Sequence, residues 1–210
     1  MDSSRTDWRL DRGHSPGLRA CVLSACVVLG ALGCSVGQGQ GELTGSVRAL
    51  ECGIDDDAYS LEPSFFGGEV TGGWLNIRVQ RGSDLEQHAD GLAIHVRDVN
   101  EVKQNRLGLP IPVEADHLAL VQMSFYLNEA CPSGFPSDHR LPPVVMEAVG
   151  GQIRFDSIYA PDLEPGDTLV EAELLNVTFT DRDDPEGRAA TLSGTFSFFQ
   201  QRGAPAQRFP

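Results

Sequence analysis

Positive charge is scarce in this chain, and the scarcity limits the partners that the protein can have. Sixteen lysine and arginine residues stand against 30 aspartate and glutamate residues in a chain of 210, so the formal net charge at pH 7 is −14. A field of this sign repels nucleic acid and anionic lipid headgroups. We therefore expect no nucleic-acid partner, and we interpret the acidic surface as a solvated one.

Catalytic motifs are also missing. The chain has no phosphate-binding loop, no dinucleotide-binding fingerprint and no H-E-x-x-H zinc motif, and downstream of residue 33 it has no G-x-S-x-G nucleophile elbow. Paired carboxylates for glycoside hydrolysis have no fixed spacing in a sequence, because the two groups meet only in space. The sequence therefore predicts a protein that is not an enzyme and has no cofactor, with a hydrolase as the less favoured alternative.

No apolar run has the length of a typical membrane-spanning helix. The main one covers residues 20–32, and its 13 residues fall short of the roughly 20 that a spanning helix needs. The length matches the apolar core of a secretory signal peptide, and Arg19 supplies the basic residue that precedes such a core. We predict a signal peptide over residues 1–33, with an uncleaved anchor over residues 20–36 as a minor alternative.

The end of this run carries a second signal. Residues 30–34, Gly-Ala-Leu-Gly-Cys, resemble the lipobox of bacterial lipoproteins, in which a peptidase cuts before a cysteine whose thiol carries diacylglycerol. Ala31 departs from the pattern, because leucine is usual at that place. The resemblance implies lipidation of Cys34 and, since Ser35 rather than aspartate follows, an outer-membrane location. An ordinary secretory cut would instead leave a soluble secreted or periplasmic protein.

The number of cysteines favours lipidation. The chain has five, and cleavage before Cys34 would leave that residue together with Cys52 and Cys131. Acylation of Cys34 turns this odd set into an even pair, which an oxidising compartment would join. We therefore predict a Cys52–Cys131 disulfide; two buried free thiols or a two-ligand metal site are the alternatives.

The remaining chain alternates apolar and polar residues over short runs, which is typical of strands with one buried face. We predict one antiparallel β-sandwich over residues 42–201, with a closed barrel as the runner-up. Residues 34–41 form a flexible tether behind the lipidated cysteine, and residues 202–210 form a C-terminal tail. The predicted inward residues include Leu43, Val47, Ala49, Leu75, Ile77, Val79, Leu92, Ile94, Val96, Met123, Phe125, Ile153 and Phe155.

Four local features interrupt this pattern. The apolar phase slips between Leu174 and Leu175, which predicts a β-bulge at that point. A capping box predicts one short helix over residues 84–89, and a second helical turn is expected after Asn100. Residues 132–143 are rich in proline, glycine and polar side chains, so we expect the longest irregular loop there.

Three aromatic residues fall on the outward phase of their strands. Trp74, Tyr126 and Phe199 could form a patch for a sugar or a protein partner, although cross-strand pairing or cover by a loop is the commoner reason for such residues. His95 also falls on an outward phase, and we interpret it as an ordinary surface residue.

Two groups of carboxylates are dense enough in the sequence to be candidate metal sites. They are Asp55, Asp56 and Asp57, and Asp181, Asp183 and Asp184. The second group resembles a calcium loop only superficially, because Pro185 and Glu186 occupy the places where an oxygen donor and a glycine are required. A hairpin turn explains this run, and we predict no metal site.

Taken together, the sequence predicts an exported envelope protein anchored to the membrane by the lipid on Cys34, with a non-enzymatic structural or interaction β-domain. A carbohydrate- or metal-binding module on the same scaffold is the alternative. The protein or glycan partner is not indicated by any residue pattern.

Overall fold

The computed structural model describes residues 39–82, 86–131 and 144–200. The predicted signal peptide, Cys34 and most of the tether lie outside the described residues. So do the predicted loop over residues 132–143 and the C-terminal tail.

The described residues are mainly strands. Ten of them form one antiparallel sheet with the order β2-β1-β10-β9-β8-β7-β5-β4-β3, and β6 pairs with β8 beside this path. The strands are β1 (Gly39–Ala49), β2 (Ile54–Leu61), β3 (Phe65–Thr71), β4 (Trp74–Gly82), β5 (Ala89–Val96), β6 (Pro110–Pro112), β7 (Val121–Leu127), β8 (Val145–Ser157), β9 (Leu169–Thr180) and β10 (Arg188–Phe199). The predicted all-β class is confirmed.

The sheet curls so that one face becomes the interior. Tyr59 on β2 packs against Phe125 on β7, with ring centroids 5.9 Å apart, although the two strands are far apart in the sheet order. Phe66 on β3 stacks on Phe198 of β10 at 5.8 Å. Each end strand of the sheet therefore packs over a strand from the other half of the order, β2 over β7 and β3 over β10. The finer form of the fold, sandwich or closed barrel, stays a prediction.

Alternation decides which side chains fill this interior. All the inward residues named above are buried, with at most 4 % of their surface exposed. The strand that carries Met123 and Phe125 is β7, which begins at Val121 and lies between β5 and β8 inside the sheet. Burial of so many aliphatic and aromatic groups is the main stabilising term of the domain.

The predicted bulge is present on β9. Leu192 pairs with Val177 and Gly194 pairs with Leu174, so Leu175 and Asn176 together oppose a single residue of β10. Asn176 has a φ of 49°, a conformation that asparagine tolerates better than most residues. The extra residue on β9 shifts the alternation of inward and outward side chains by one position. Leu174 and Val177 are therefore both buried, although they are three residues apart.

Helical segments are short, as expected. They are single 3-10 turns at Leu50–Cys52 and Glu86–His88, and a turn of α-helix at Val99–Glu101 that continues as a π-turn over Val102–Arg106. Asp98 caps the last of these by accepting a hydrogen bond from the Glu101 backbone at 2.9 Å. The turn expected after Asn100 is confirmed, and the described part of the predicted residue 84–89 helix is the 3-10 turn.

The two domain cysteines lie at disulfide distance, as the sequence predicted. Cys52 ends the turn after β1 and Cys131 follows β7, and their Cα atoms are 5.3 Å apart. This spacing is that of an ordinary disulfide. The bridge joins two parts of the chain that are 79 residues apart.

A candidate polar cleft on the outer face of the sheet

The predicted aromatic patch is not assembled. Trp74 and Phe199 are exposed, at 51 % and 56 % of their surface, but they belong to β4 and β10. Tyr126 is fully buried, at 0 %, so its assignment to a surface patch was wrong. Its hydroxyl donates a 2.7 Å hydrogen bond to Gln80 Oε1, and its burial raises the pKa of the phenol above the ordinary value.

The error over Tyr126 has a simple physical reason. Strand phase assigns a side chain to a face, but it does not say whether that face is covered. On the outer face of β4 and β7, Gln80 and Arg78 are also buried. Gln80 Oε1 accepts from Tyr126 and from the Arg78 guanidinium, whose Nη2 lies 2.6 Å away. This part of the outer face is therefore a polar packed layer.

Next to this layer the outer face opens into a cleft of about 290 Å³. Its lining comes from outward positions of three adjacent strands, which the register aligns in two rows. Asn76, His95 and Gln122 lie opposite one another on β4, β5 and β7; Arg78, Ala93 and Ser124 form the next row. Glu86, in the turn before β5, also contributes. Small side chains at the centre of the second row leave room above the sheet.

His95 is held in one orientation. Its Nδ1 lies 2.6 Å from Asn76 Oδ1, and because an amide oxygen only accepts, Nδ1 carries the proton. Nε2 is then an acceptor in the neutral ring. Partial burial lowers the pKa of His95 below its ordinary value, so the imidazole is neutral at pH 7.

The side chain of Trp74 stands beside this histidine. The two ring centroids are 5.0 Å apart and the rings are nearly perpendicular, at 85°. Trp74 does not line the cleft, but it contacts His95, which does. The prediction that His95 is an ordinary surface residue was incomplete, because the structure gives it two side-chain partners.

Gln122 is also positioned by a neighbour. Its Nε2 donates a 2.7 Å hydrogen bond to the backbone carbonyl of Asp116. This bond fixes the side-chain amide of Gln122 against the loop that precedes β7. The sequence reasoning missed Asn76, Gln122 and Ser124 as site residues. The signal that could have found them is a row of polar side chains at matching register, which requires the strand pairing to be known.

On the inner face, a buried carboxylate serves the fold. Asp90 is fully buried and contacts Arg81 Nη2 at 3.0 Å. Its other oxygen accepts hydrogen bonds from the backbone N–H groups of Glu129 and Ala130, at 2.9 and 3.0 Å. The two backbone bonds hold the segment that follows β7, and the bond to Arg81 joins β5 to β4, so the geometry favours a structural role.

The second carboxylate cluster, at the turn between β9 and β10, holds its own loop. Asp181 accepts from the Asp183 backbone at 2.9 Å and from Arg188 at 2.6 Å; the backbone bond first, and then the guanidinium, hold the pKa of Asp181 below its ordinary value. Asp184 accepts from the Gly187 backbone. These bonds agree with the hairpin interpretation.

The first cluster lies on β2, an edge strand of the sheet. Asp55 pairs with Arg48 at 3.2 Å, and Asp56 accepts from the Ala58 backbone. Charged residues on an edge strand hinder pairing with another chain. Within the described ranges, one group of three metal-ligand residue types converges, Glu51 with Cys52 and Cys131. Its two sulfurs are joined to each other, so neither is available as a thiolate.

Comparisons of the chain with protein-family models, with curated proteins and with solved structures found no match. In the part of the chain that the structure describes, no helix combines the length and the apolar character needed to cross a membrane.

Proposed function

We propose that the protein is exported, processed before Cys34 and anchored by a lipid on that cysteine, with the β-domain acting as a non-enzymatic interaction module at the cell envelope. The observation that supports this most is the Cys52–Cys131 pair. Disulfides persist in oxidising compartments and are rare in the cytosol. Since the pair uses both cysteines of the domain, Cys34 is left as the odd thiol that acylation would consume.

The charges of the domain fit this interpretation. Carboxylates of both clusters, on β2 and in the turn between β9 and β10, bond to arginines and to nearby backbone N–H groups. A solvated acidic surface keeps an exported domain soluble and away from anionic headgroups. The tether would hold it at a distance from the lipid. The arrangement favours display of the domain over contact between the domain and the membrane.

For the finer form of the fold, we propose a barrel-like closure in place of the two-sheet sandwich. The start of β1 lies against β3, which is at the far end of the strand order, because a Cβ on Gly39 would meet Phe66 of β3 as well as Phe198 of the neighbouring β10. The Gln200 side chain also donates to the Gly68 carbonyl of β3. These contacts bring β3 beside β1 and β10.

The anchor proposal is tested on the full chain expressed in a bacterial host. We expect the membrane-extracted protein to begin at Cys34, to carry the mass of the acyl groups, and to gain two hydrogen masses on reduction. Cys34→Ser should abolish the acyl mass and release the domain from the membrane fraction. Cys26→Ser, a matched change within the apolar run, should leave both unchanged.

Two results would contradict the proposal. A protein that is cleaved but unacylated would be a soluble secreted or periplasmic protein instead. A chain that keeps residues 1–33 and shows no mass change on reduction would reject both export and the disulfide.

A further inference from the structure

The cleft on β4, β5 and β7 offers hydrogen-bonding groups of both kinds. His95 Nε2 is an acceptor, because Nδ1 is bound to Asn76. Ser124 has a hydroxyl that donates and accepts, and the Gln122 carbonyl oxygen is an acceptor beside an amide whose nitrogen is already bound to Asp116. A ligand that matches this set must itself donate and accept through several adjacent groups, as sugar hydroxyls do.

The spacing of these groups favours a ring-sized ligand. Side chains directly opposite each other on adjacent strands have Cβ atoms about 5 Å apart, so the row of Asn76, His95 and Gln122 extends over about the width of a sugar unit or two. The volume of about 290 Å³ fits the same size. Two of the three side chains are fixed by neighbours, which reduces the entropy lost on binding.

Trp74 adds an apolar surface at the rim. It is half exposed and held against His95 by the perpendicular ring contact. A half-exposed indole next to hydrogen-bonding groups suits the C–H side of a pyranose, which is apolar while its rim of hydroxyls is polar. Cross-strand packing alone would not require the indole to stay half open to solvent.

The charges argue for a neutral ligand. The cleft contains one cation and one carboxylate, Arg78 and Glu86, so it has no excess charge to offer an ion. The net charge of −14 opposes an anion at long range. From these observations we propose that the cleft binds a neutral saccharide, with Trp74 stacking on the ring and Asn76, His95, Gln122 and Ser124 bonding its hydroxyls.

This inference goes beyond the proposed function, and it does not depend on the lipid. Saccharide binding is measured on the folded domain in solution, whereas the anchor is measured by mass and membrane fractionation. A failure of one therefore leaves the other standing.

The sequence supplies a convenient reporter. The chain has two tryptophans, Trp8 and Trp74, so Trp8→Phe makes Trp74 the single tryptophan of the full chain whether or not the signal peptide is removed. The emission of this variant is titrated with glucose, galactose, mannose, N-acetylglucosamine, maltose and lactose. Choline and inorganic phosphate serve as cationic and anionic probes. We expect a saturable change in Trp74 emission with at least one of the saccharides.

Variants then locate the site. Asn76→Ala and His95→Ala should each weaken binding roughly tenfold, by loss of a hydrogen bond and of the orientation of the imidazole. Asn105→Ala, a matched change outside the cleft lining, should leave binding unchanged. Circular dichroism and the melting temperature show that each variant is folded, and Gln122→Ala offers a second test of the row if Asn76→Ala fails to fold.

Three results would overturn the proposal. The first is the absence of binding by every saccharide up to millimolar concentration. The second is binding that is equal in Asn76→Ala, His95→Ala and the parent, since the ligand would then sit elsewhere. The third is saturable binding of choline or phosphate in preference to the saccharides, which would assign the cleft to an ion.

Discussion

The disulfide is expected to carry a large part of the stability of the domain. It joins residues that are 79 apart, and in the loop-closure treatment a loop of this length gives about 4.5 kcal/mol at 25 °C. Net stabilities of single domains are about 5–15 kcal/mol. Its loss in Cys52→Ala/Cys131→Ala should therefore leave a marginal protein. For a domain of this size the melting temperature should fall by about 9 to 18 °C.

The assay is urea or thermal unfolding of three samples followed by circular dichroism. The oxidised parent is compared with the reduced parent and with Cys52→Ala/Cys131→Ala. Cys34→Ala serves as the control, because this residue closes no loop in the domain. The reduced parent and the double variant should agree within about 1 kcal/mol, since both lose the same constraint on the unfolded chain.

A loss below about 1 kcal/mol in the double variant, with an unchanged m-value, would contradict the stabilisation expected from loop closure. An effect of the same size in Cys34→Ala would also refute it, because the cysteine that matters would then lie outside the pair.

Three further predictions concern single residues. Asp90→Asn should destabilise the fold by about 1.5–3 kcal/mol in urea unfolding, because it removes the charge of a fully buried carboxylate that bonds to Arg81 and to two backbone N–H groups. Asp55→Asn, which breaks an exposed pair, should cost less than about 1 kcal/mol, and equal losses would contradict this. Gly194→Ala should lower the melting temperature measurably, because its φ is 143° and a Cβ would meet a backbone oxygen of β1; an unchanged melting temperature would contradict the strain. The pKa of His95, followed through Trp74 emission in the single-tryptophan chain, should lie below the ordinary value of 6.5. Because the unfolded chain then binds this proton more tightly than the folded chain, the free energy of unfolding should fall as the pH drops through the pKa of the folded state. A pKa above 6.5 would contradict the partial burial of His95.

Most of the fold follows from local sequence rules. Period-two alternation identified the inward residues of most strands, because a half-buried strand leaves one face apolar. The apolar alternation changes phase between Leu174 and Leu175, and this change predicted the position of the bulge. The apolar side chains on both sides of the change can face the core only if an extra residue lies between them. What the alternation could not supply is the order of strands and the curl of the sheet. These depend on contacts such as Phe66 with Phe198, between residues far apart in the chain.

The candidate site was less accessible to sequence reasoning. Asn76, His95 and Gln122 come from three strands, and each alone is an ordinary outward polar residue. They form a candidate binding site only because the strand register places them side by side. Asp116 contributes as well, because its backbone carbonyl orients the Gln122 side chain. Tyr126 failed as a site residue for the opposite reason. Its outward phase was right, but Gln80 and Arg78 pack around it on that face.

The stability of the domain depends on one short segment after β7, where a buried hydrogen-bond network meets the disulfide. The Asn128 backbone donates to the Ala89 carbonyl, buried Asp90 holds the next two backbone N–H groups, and Cys131 joins Cys52. With the cysteines reduced, the segment relies on the hydrogen bonds and the buried carboxylate, and the domain lacks about 4.5 kcal/mol of the stability of its oxidised form. Under the export that we propose, the disulfide would form only after the chain has crossed the membrane, so the reduced chain would be easier to keep unfolded before it crosses.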